Sequence, residues 1–597
     1  MMKRINLLIM VVSATLMTNC SSNDPLSEYN FDYIGGNEGG GSSTLYTTSL
    51  SDFSIDKTTP EPSATVAAFY PEDEDNVNNE DFSNATTINV VFNGNSVSCD
   101  APSTVSVSTN GAHITINHGS DSKAVYNVSG STNAGSLTIV GEKKYKLCLN
   151  GVSITNPDST AVNLLSKKRA YISLSGTNTL TDGVSSKDDE QKAAFYCKGK
   201  MLFSGSGSLN VYGNSKNGIS CADYIVFSSG NNIYVKSVAN NGVKANDGIY
   251  INGGVVNVEV STDGAKGISS GTDIVVNGGR TTCITTGAAE WDSDEQEIKG
   301  SAGMKADGNI TVNGGQLYMK STGSSGKGLS ADGKLDVTGG EICVITSGGV
   351  SVYSGSKITN NYSGNTDRVS SSYKSSPKGL KIDGAITISG GNTLVSANSE
   401  GVESKSTIDI MGGHLYVYGS DDAINCSNHL TVNGGYVMAH STGNDGLDSN
   451  GNCYIKGGVV YAIGSTSPEV GVDANTEGGY KLYVSGGTLV SIGGLESGSS
   501  LTQSCYSASS WNKNTWYALY DGNGLALAFK TPSSGGSTLV VSTSGTSSLK
   551  SGVTVSEGTS CFNGMGNVGG TVSGGSTITL SSYSGGNGMG GVPGGRW

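Results

Sequence analysis

Gly-Gly pairs end short alternating apolar segments at Gly253, Gly278, Gly314, Gly339, Gly390, Gly412, Gly434, Gly457 and Gly486. Their spacings are 25, 36, 25, 51, 22, 22, 23 and 29 residues, so a unit of 22 to 25 residues recurs with insertions. A unit that short cannot bury its own apolar face, and successive units must stack to make a core. Each reads as three short strands. An apolar residue follows glycine in the first (Gly242-Val243, Gly446-Leu447). An alternating pair precedes Gly-Gly in the second (Ile310 and Val312, Leu430 and Val432), and another follows it in the third (Leu317 and Met319, Val437 and Ala439). Three strands and three turns per unit predict an all-β parallel β-helix solenoid. A propeller blade needs about 40 residues, and the Leu and Asn spacing of a leucine-rich repeat is missing. Asn252, Asn277, Asn313 and Asn433 stand before Gly-Gly, where a turn residue can tolerate positive φ and bond along the stack.

Weaker units extend upstream through Gly230, Gly207, Gly176 and Gly151, which places the solenoid at residues 86–494. Residues 495–583 lose the period. Trp511 to Pro532 read there as a hairpin around Asp521-Gly-Asn-Gly, part of a small C-terminal β cap over the exposed solenoid end. Residues 584–597 form a Gly-rich tail. Residues 1–20 pair Lys3 and Arg4 with an apolar run to Leu16, a signal peptide too short to span a membrane. Cys20 at its end is similar to the acylated cysteine of bacterial lipoproteins, which implies lipidation there and a place in the cell envelope, at the outer membrane or cell surface. Residues 21–85, rich in Ser, Gly, Asn and Asp, read as a flexible tether.

Charge narrows the partners. A formal net charge of −14 argues against nucleic acid, leaving cations and polar ligands, and a monomer is expected. The ten cysteines after Cys20 show no metal-binding spacing and read as small core residues.

Acidic residues recur at one phase of the repeat. When units are aligned on Val402, Ile424, Leu447 and Val472, Glu400, Asp422 and Asp445 stand two positions before. Glu403, Asn425, Asp448 and Asp473 stand one after, with Asp421 beside them. Equivalent residues on stacked strands lie about 4.8 Å apart, so these carboxylates repel unless something neutralises them. Carboxylate and amide oxygens are calcium ligands, which makes this set a candidate calcium site; a solvated rim of turn-forming Asp and Asn is the plainer alternative. Upstream, the same two phases carry Lys244 and Lys305, and Lys266 and Lys327, a basic wall suited to acidic ligands. Tyr318, Tyr416 and Tyr461 share an outward phase, with Tyr418 beside them, where rings could stack on sugars.

Two stretches, Gly135 to Leu165 (GSLTIVGEKKYKLCLNGVSITNPDSTAVNLL) and Ile172 to Gly183 (ISLSGTNTLTDG), together with the Asp-Gly-apolar and Asn-Gly-Gly units, resemble a carbohydrate-binding domain family. Its members are bacterial surface proteins first described in cellulolytic clostridia. The resemblance implies a right-handed parallel β-helix like that of pectate lyases, with calcium as the bound ion. It implies binding of pectin-like or cellulose-like polysaccharide without catalysis. The insertions at Glu290 to Ser301 and Val350 to Lys378 depart from the family pattern.

Two other classes remain. A polysaccharide lyase would need a strong base beside calcium, yet Arg280 and Arg368 have no partner that sequence can assign. A hydrolase needs two separated carboxyls; Asp421-Asp422 is similar to the paired aspartates of polygalacturonases, but no Gly-His-Gly follows. A ligand-free stalk or adhesin is the third class.

Overall fold

The computed structural model describes residues 54–119, 122–184, 190–366 and 368–585. The signal peptide, Cys20, tether residues 21–53 and tail residues 586–597 lie outside the described residues. Strands stack in parallel into a β-solenoid. First strands form a 14-stranded sheet, while second and third strands belong to a 33-stranded sheet around the rest of each coil. The register is the one the repeat dictates: Val243, Ile268, Met304, Leu329, Leu380, Val402, Ile424 and Leu447 form one inward column. Isolated bridges extend it to Val472 and Leu495. Inward side chains from all three strands merge into one continuous apolar core running from Ile88 to Val540.

The Gly-Gly turns have a local cause. The second glycine of each pair, from Gly254 to Gly487, has φ between +71° and +82°, a region that side chains with a Cβ rarely adopt. The first has no room for one, since a Cβ on Gly278 would lie 2.6 Å from the Asn252 carbonyl oxygen. The asparagines before these turns form a ladder. Asn277 Nδ2 donates to Asn252 Oδ1 at 3.0 Å, Asn313 Nδ2 to Asn277 Oδ1 at 2.9 Å, and Thr338 Oγ1 to Asn313 Oδ1 at 2.8 Å.

Residues 54–85, read from sequence as tether, lie along the solenoid as a strap. Phe69 exchanges two hydrogen bonds with Asn252, of 2.8 and 2.7 Å. Tyr70, Val77 and Phe82 cover an outward apolar stripe of Tyr171, Leu202, Tyr224 and Val226. Asp75, 2% exposed, accepts from Arg169 Nε at 2.9 Å and from the Tyr224 hydroxyl at 2.6 Å. An outward apolar stripe is indistinguishable from strand propensity in sequence, which is why its cover was not legible.

At the other end, Trp516–Tyr520 and Leu525–Lys530 pair as the expected hairpin within a six-stranded antiparallel sheet. Leu539–Ser542 adds antiparallel to Thr488–Ile492 and closes the last coil's edge. The cap also folds back over the third strands, burying Tyr418, Met438, Tyr461 and Val490 beneath Phe529 and Phe562. The ten described cysteines are unpaired, and eight are buried.

The two insertions leave the solenoid at the same corner, between a third strand and the next first strand. Coil pairing continues past both, Ile274–Val276 with Ile310–Val312 and Leu335–Val337 with Ile386–Ile388.

Candidate functional site: a charged wall on the first strands

The outward column on the first strands reads Lys244, Ser269, Lys305, Ser330, Lys381, Glu403, Asn425, Asp448. Basic coils give way to acidic ones along a single wall, as the repeat alignment requires. The two halves are satisfied differently.

In the basic half only Lys244 is exposed and without an ion pair among the described residues. Lys305 bridges Asp332 at 2.6 Å and Asp307 at 3.2 Å. Lys266 donates to the carbonyls of Gly264 and, at 2.9 Å, Gly300. Lys327 donates to the Ser376 carbonyl and, at 3.1 Å, to Ser375 Oγ. Burial lowers Lys266 to about 8 and, with Lys378 nearby, Lys327 to about 7. Lys266 and Lys327 therefore serve as posts under the bases of the two insertions rather than as an open basic surface. The carbonyls of Gly300 and Ser376 that they hold come from the insertions, whose placement sequence spacing does not reveal.

Lys378 marks the junction. Its ammonium lies 2.6 Å from Glu400 and 2.7 Å from Glu403. Burial would raise Glu403, but the lysine outweighs it and holds that carboxyl low. Burial keeps Glu400 raised, though Lys378 opposes the shift. These two members of the expected calcium set have a protein cation already.

The remaining carboxyls have none. Asp422, Asp445, Asp448 and Asp473 make no ion pair among the described residues, and the first two are 5% and 8% exposed. Asp422 accepts from Asn425 Nδ2 at 3.1 Å and from the Asp445 backbone N–H at 3.0 Å. Asp445 accepts from Val470 N–H at 2.6 Å, and the exposed Asp421 accepts from Asn444 Nδ2 at 3.1 Å. Burial, reinforced by neighbouring carboxylates, pushes Asp422 well up, Asp445 to about 7, Asp448 to about 6 and Asp473 to about 10. Glu496, whose carboxyl helps to raise that of Asp473, was missed in sequence, although Leu495 continues the inward column and places it one position after, like Asp448 and Asp473. No three of the described His, Cys, Asp and Glu side chains alone form a metal cage. A cation here would combine carboxylates with the amide oxygen of Asn425 and main-chain carbonyls, the mixed oxygen set that calcium takes.

The tyrosines share the column expected of them, since Tyr318 runs through Cys343 and Leu394 to Tyr416, Met438 and Tyr461. Their faces are not open. Tyr461 is fully buried and donates to the Lys530 carbonyl at 3.0 Å. Tyr416 meets Phe562 edge-on at 6.0 Å, and Tyr418, 9% exposed, donates to Thr442 at 3.4 Å. Tyr318 donates to Glu341 at 3.2 Å. The cap turns three of the four into interface residues.

A profile of the carbohydrate-binding domain-containing protein family matches residues 110–267, 261–351 and 323–423, together more than half of the 597 residues. The chain belongs to this family. A carbohydrate-binding domain-containing protein of Acetivibrio thermocellus is 31% identical over 151 residues, covering 24% of this chain and 51% of that relative. The chain thus spans about half the length of that curated relative. A solved polysaccharide lyase-like protein from C. thermocellum, a gadolinium derivative, is 23% identical with a TM-score of 0.34, covering 42% of this chain and 96% of that one. The family match takes in both insertions and ends at residue 423, within the acidic half of the wall.

Proposed function

We propose that the protein is a lipid-anchored envelope protein that binds an extended acidic polysaccharide without cleaving it, along the first-strand wall, with calcium on its carboxylate rungs. Membership of a carbohydrate-binding family supports the ligand class. The observation that carries the site is the row of buried and half-buried carboxyls with no ion pair among the described residues, directly downstream of Glu400 and Glu403, which have one. Asp421, Asp422, Asn425, Asp445, Asp448 and Asp473 would hold the ion, with Glu496 at the end of the row. Bound there, calcium would neutralise these groups and leave positions for a uronate carboxylate. The chain's own part is to fix the oxygens on stacked strands and to present Asp421 to solvent.

What surrounds the charged groups supports a non-catalytic role. Arg280, 8% exposed, lies on the third-strand face and donates from Nε to Gln316 Oε1 at 3.0 Å, away from the rungs. Asp422 has both oxygens engaged by amides, so the Asp421-Asp422 pair does not present two free carboxyls. The Cys20 anchor rests on the residues preceding it.

The test is retention of polygalacturonate in affinity electrophoresis, with calcium and with chelator, for the native chain and for Asp445→Ala with Asp448→Ala. Retention that needs calcium and is lost in the double variant supports the site. Release of unsaturated or reducing ends would overturn the non-catalytic reading, and absence of retention under every condition would leave a scaffold.

A further inference from the structure

The solenoid closes most of its corners with a few residues, yet at one corner it carries two insertions that meet. The first is a hairpin, Glu290–Asp292 with Glu297–Lys299, tied by Lys299 to Asp292 at 2.7 Å and Glu295 at 3.1 Å. The second is a three-stranded sheet of Ser351–Tyr353, Ile358–Thr359 and Lys374–Ser375. The short corner between them fastens to the second, with Ser324 Oγ on Asn361 Oδ1 at 2.9 Å and Ser325 Oγ on the Ser375 carbonyl at 2.6 Å. Together they form one lobe spanning three successive corners, standing on Lys266 and Lys327.

Aromatic rings join the insertions. Trp291 stacks on Tyr353 with centroids 3.8 Å apart and planes 7° from parallel. Tyr373 tilts against both, at 5.5 and 6.0 Å. A cluster serving only as glue would be buried, but Tyr373 is 41% exposed and Trp291 and Tyr353 are half-buried. The solenoid's pairing continues past both insertions, so its register does not require the lobe, and loops added to a rigid scaffold are where binding groups concentrate. Position sets the ligand. The second insertion returns to the wall at Lys378, whose ammonium contacts Glu400 and Glu403, so the lobe borders the upstream end of the carboxylate rungs. From the Leu380 strand to the Leu447 strand is three steps, about 14 Å at sheet spacing.

We infer that the Trp291–Tyr353–Tyr373 lobe is a second saccharide subsite, in which an exposed ring face stacks against a pyranose of the same chain that crosses the rungs. This rests on the proposed polysaccharide reading and adds to it a contact that needs no metal. Aromatic rings offer a flat apolar face with little conformational freedom to lose. The C–H face of a pyranose is its complement, and the charges at the rungs supply what the lobe lacks.

The test measures polygalacturonate affinity in calcium for the native chain, Tyr373→Ala and Trp291→Phe, the last keeping the stack while reducing the platform. Each variant is expected to bind about three- to tenfold more weakly, with the calcium-induced rise in Tm unchanged. Equal affinity in all three overturns the lobe as a subsite and leaves the rung reading standing. If the native chain retains no polygalacturonate, that reading falls, and cellohexaose then decides the lobe alone: binding lost in both variants upholds it, and no binding overturns it.

Discussion

Asp445→Asn should make the metal-free protein more stable, not less. Burial, then the charges of Asp448, Glu469 and Glu496, raise Asp445 from 3.8 to about 7. The folded state therefore holds the proton more tightly than the unfolded chain, and stability falls as pH rises between those two values. At about 1.4 kcal/mol per pH unit, ionising Asp445 costs the fold about 4 kcal/mol by pH 8. Asparagine keeps the shape and the acceptor for Val470 N–H, which lies 2.6 Å away, and removes the charge. Its amide needs partners of its own, so a net gain of about 2 kcal/mol is expected. Urea unfolding in chelator at pH 8 should show that gain, and at pH 5, where the folded wild type is largely protonated, it should shrink by roughly half or more. With saturating calcium the order should reverse, because an ion bound only to the folded state stabilises it and the variant has lost a ligand. An Asp445→Asn protein no more stable than wild type at pH 8 in chelator, or a gain independent of pH, would refute the claim that these carboxyls lack a neutralising partner.

Lys378→Met should leave Glu400 and Glu403 facing each other without a cation and destabilise the protein by about 3–5 kcal/mol at neutral pH, a loss that Glu400→Gln should partly recover in the same urea titration. Asn277→Ala removes the middle of the Asn252–Asn277–Asn313 ladder and should cost about 1–3 kcal/mol, read as a lower Tm. Cys20→Ala should abolish palmitate labelling and release the protein from the membrane fraction; unchanged labelling and fractionation would sink the anchor assignment.

The coil register was legible because a single period carries it. One alignment on Val402, Ile424, Leu447 and Val472 places the outward neighbours from Lys244 to Asp448 where the strands put them. The cover over each outward face was not legible. Leu202, Val226, Met438 and Tyr461 point away from the core as strand residues ordinarily do, and only the strap and the cap, distant in sequence, turn them inward. The same limit governed the wall. Charge and phase identified Lys266 and Lys327, but their partners include the insertion carbonyls of Gly300 and Ser376, and spacing says nothing about where a backbone oxygen of a loop will lie. Lys378 stood in the same column, and its pairing across one strand step divides the acidic residues into those with a protein cation and those without.

The strap alters how the molecule would bear mechanical load. A bare solenoid pulled at its first coil peels rung by rung, since each coil is held only by its neighbours. Here the chain approaching from residue 54 meets the flank first, where Asp56 and Lys57 accept from Asn257 and Asn232 with their backbone carbonyls and the Lys57 ammonium sits 3.1 Å from the Tyr234 ring centre. It then runs back across the coils to Glu80, which Lys123 and Lys144 hold. A pull from that side enters at interior coils and loads the Asp56, Glu61 and Phe69 contacts before Thr86, the start of the first strand, feels any tension. The terminal rung, the weakest joint in a stack, is thereby the last to be strained.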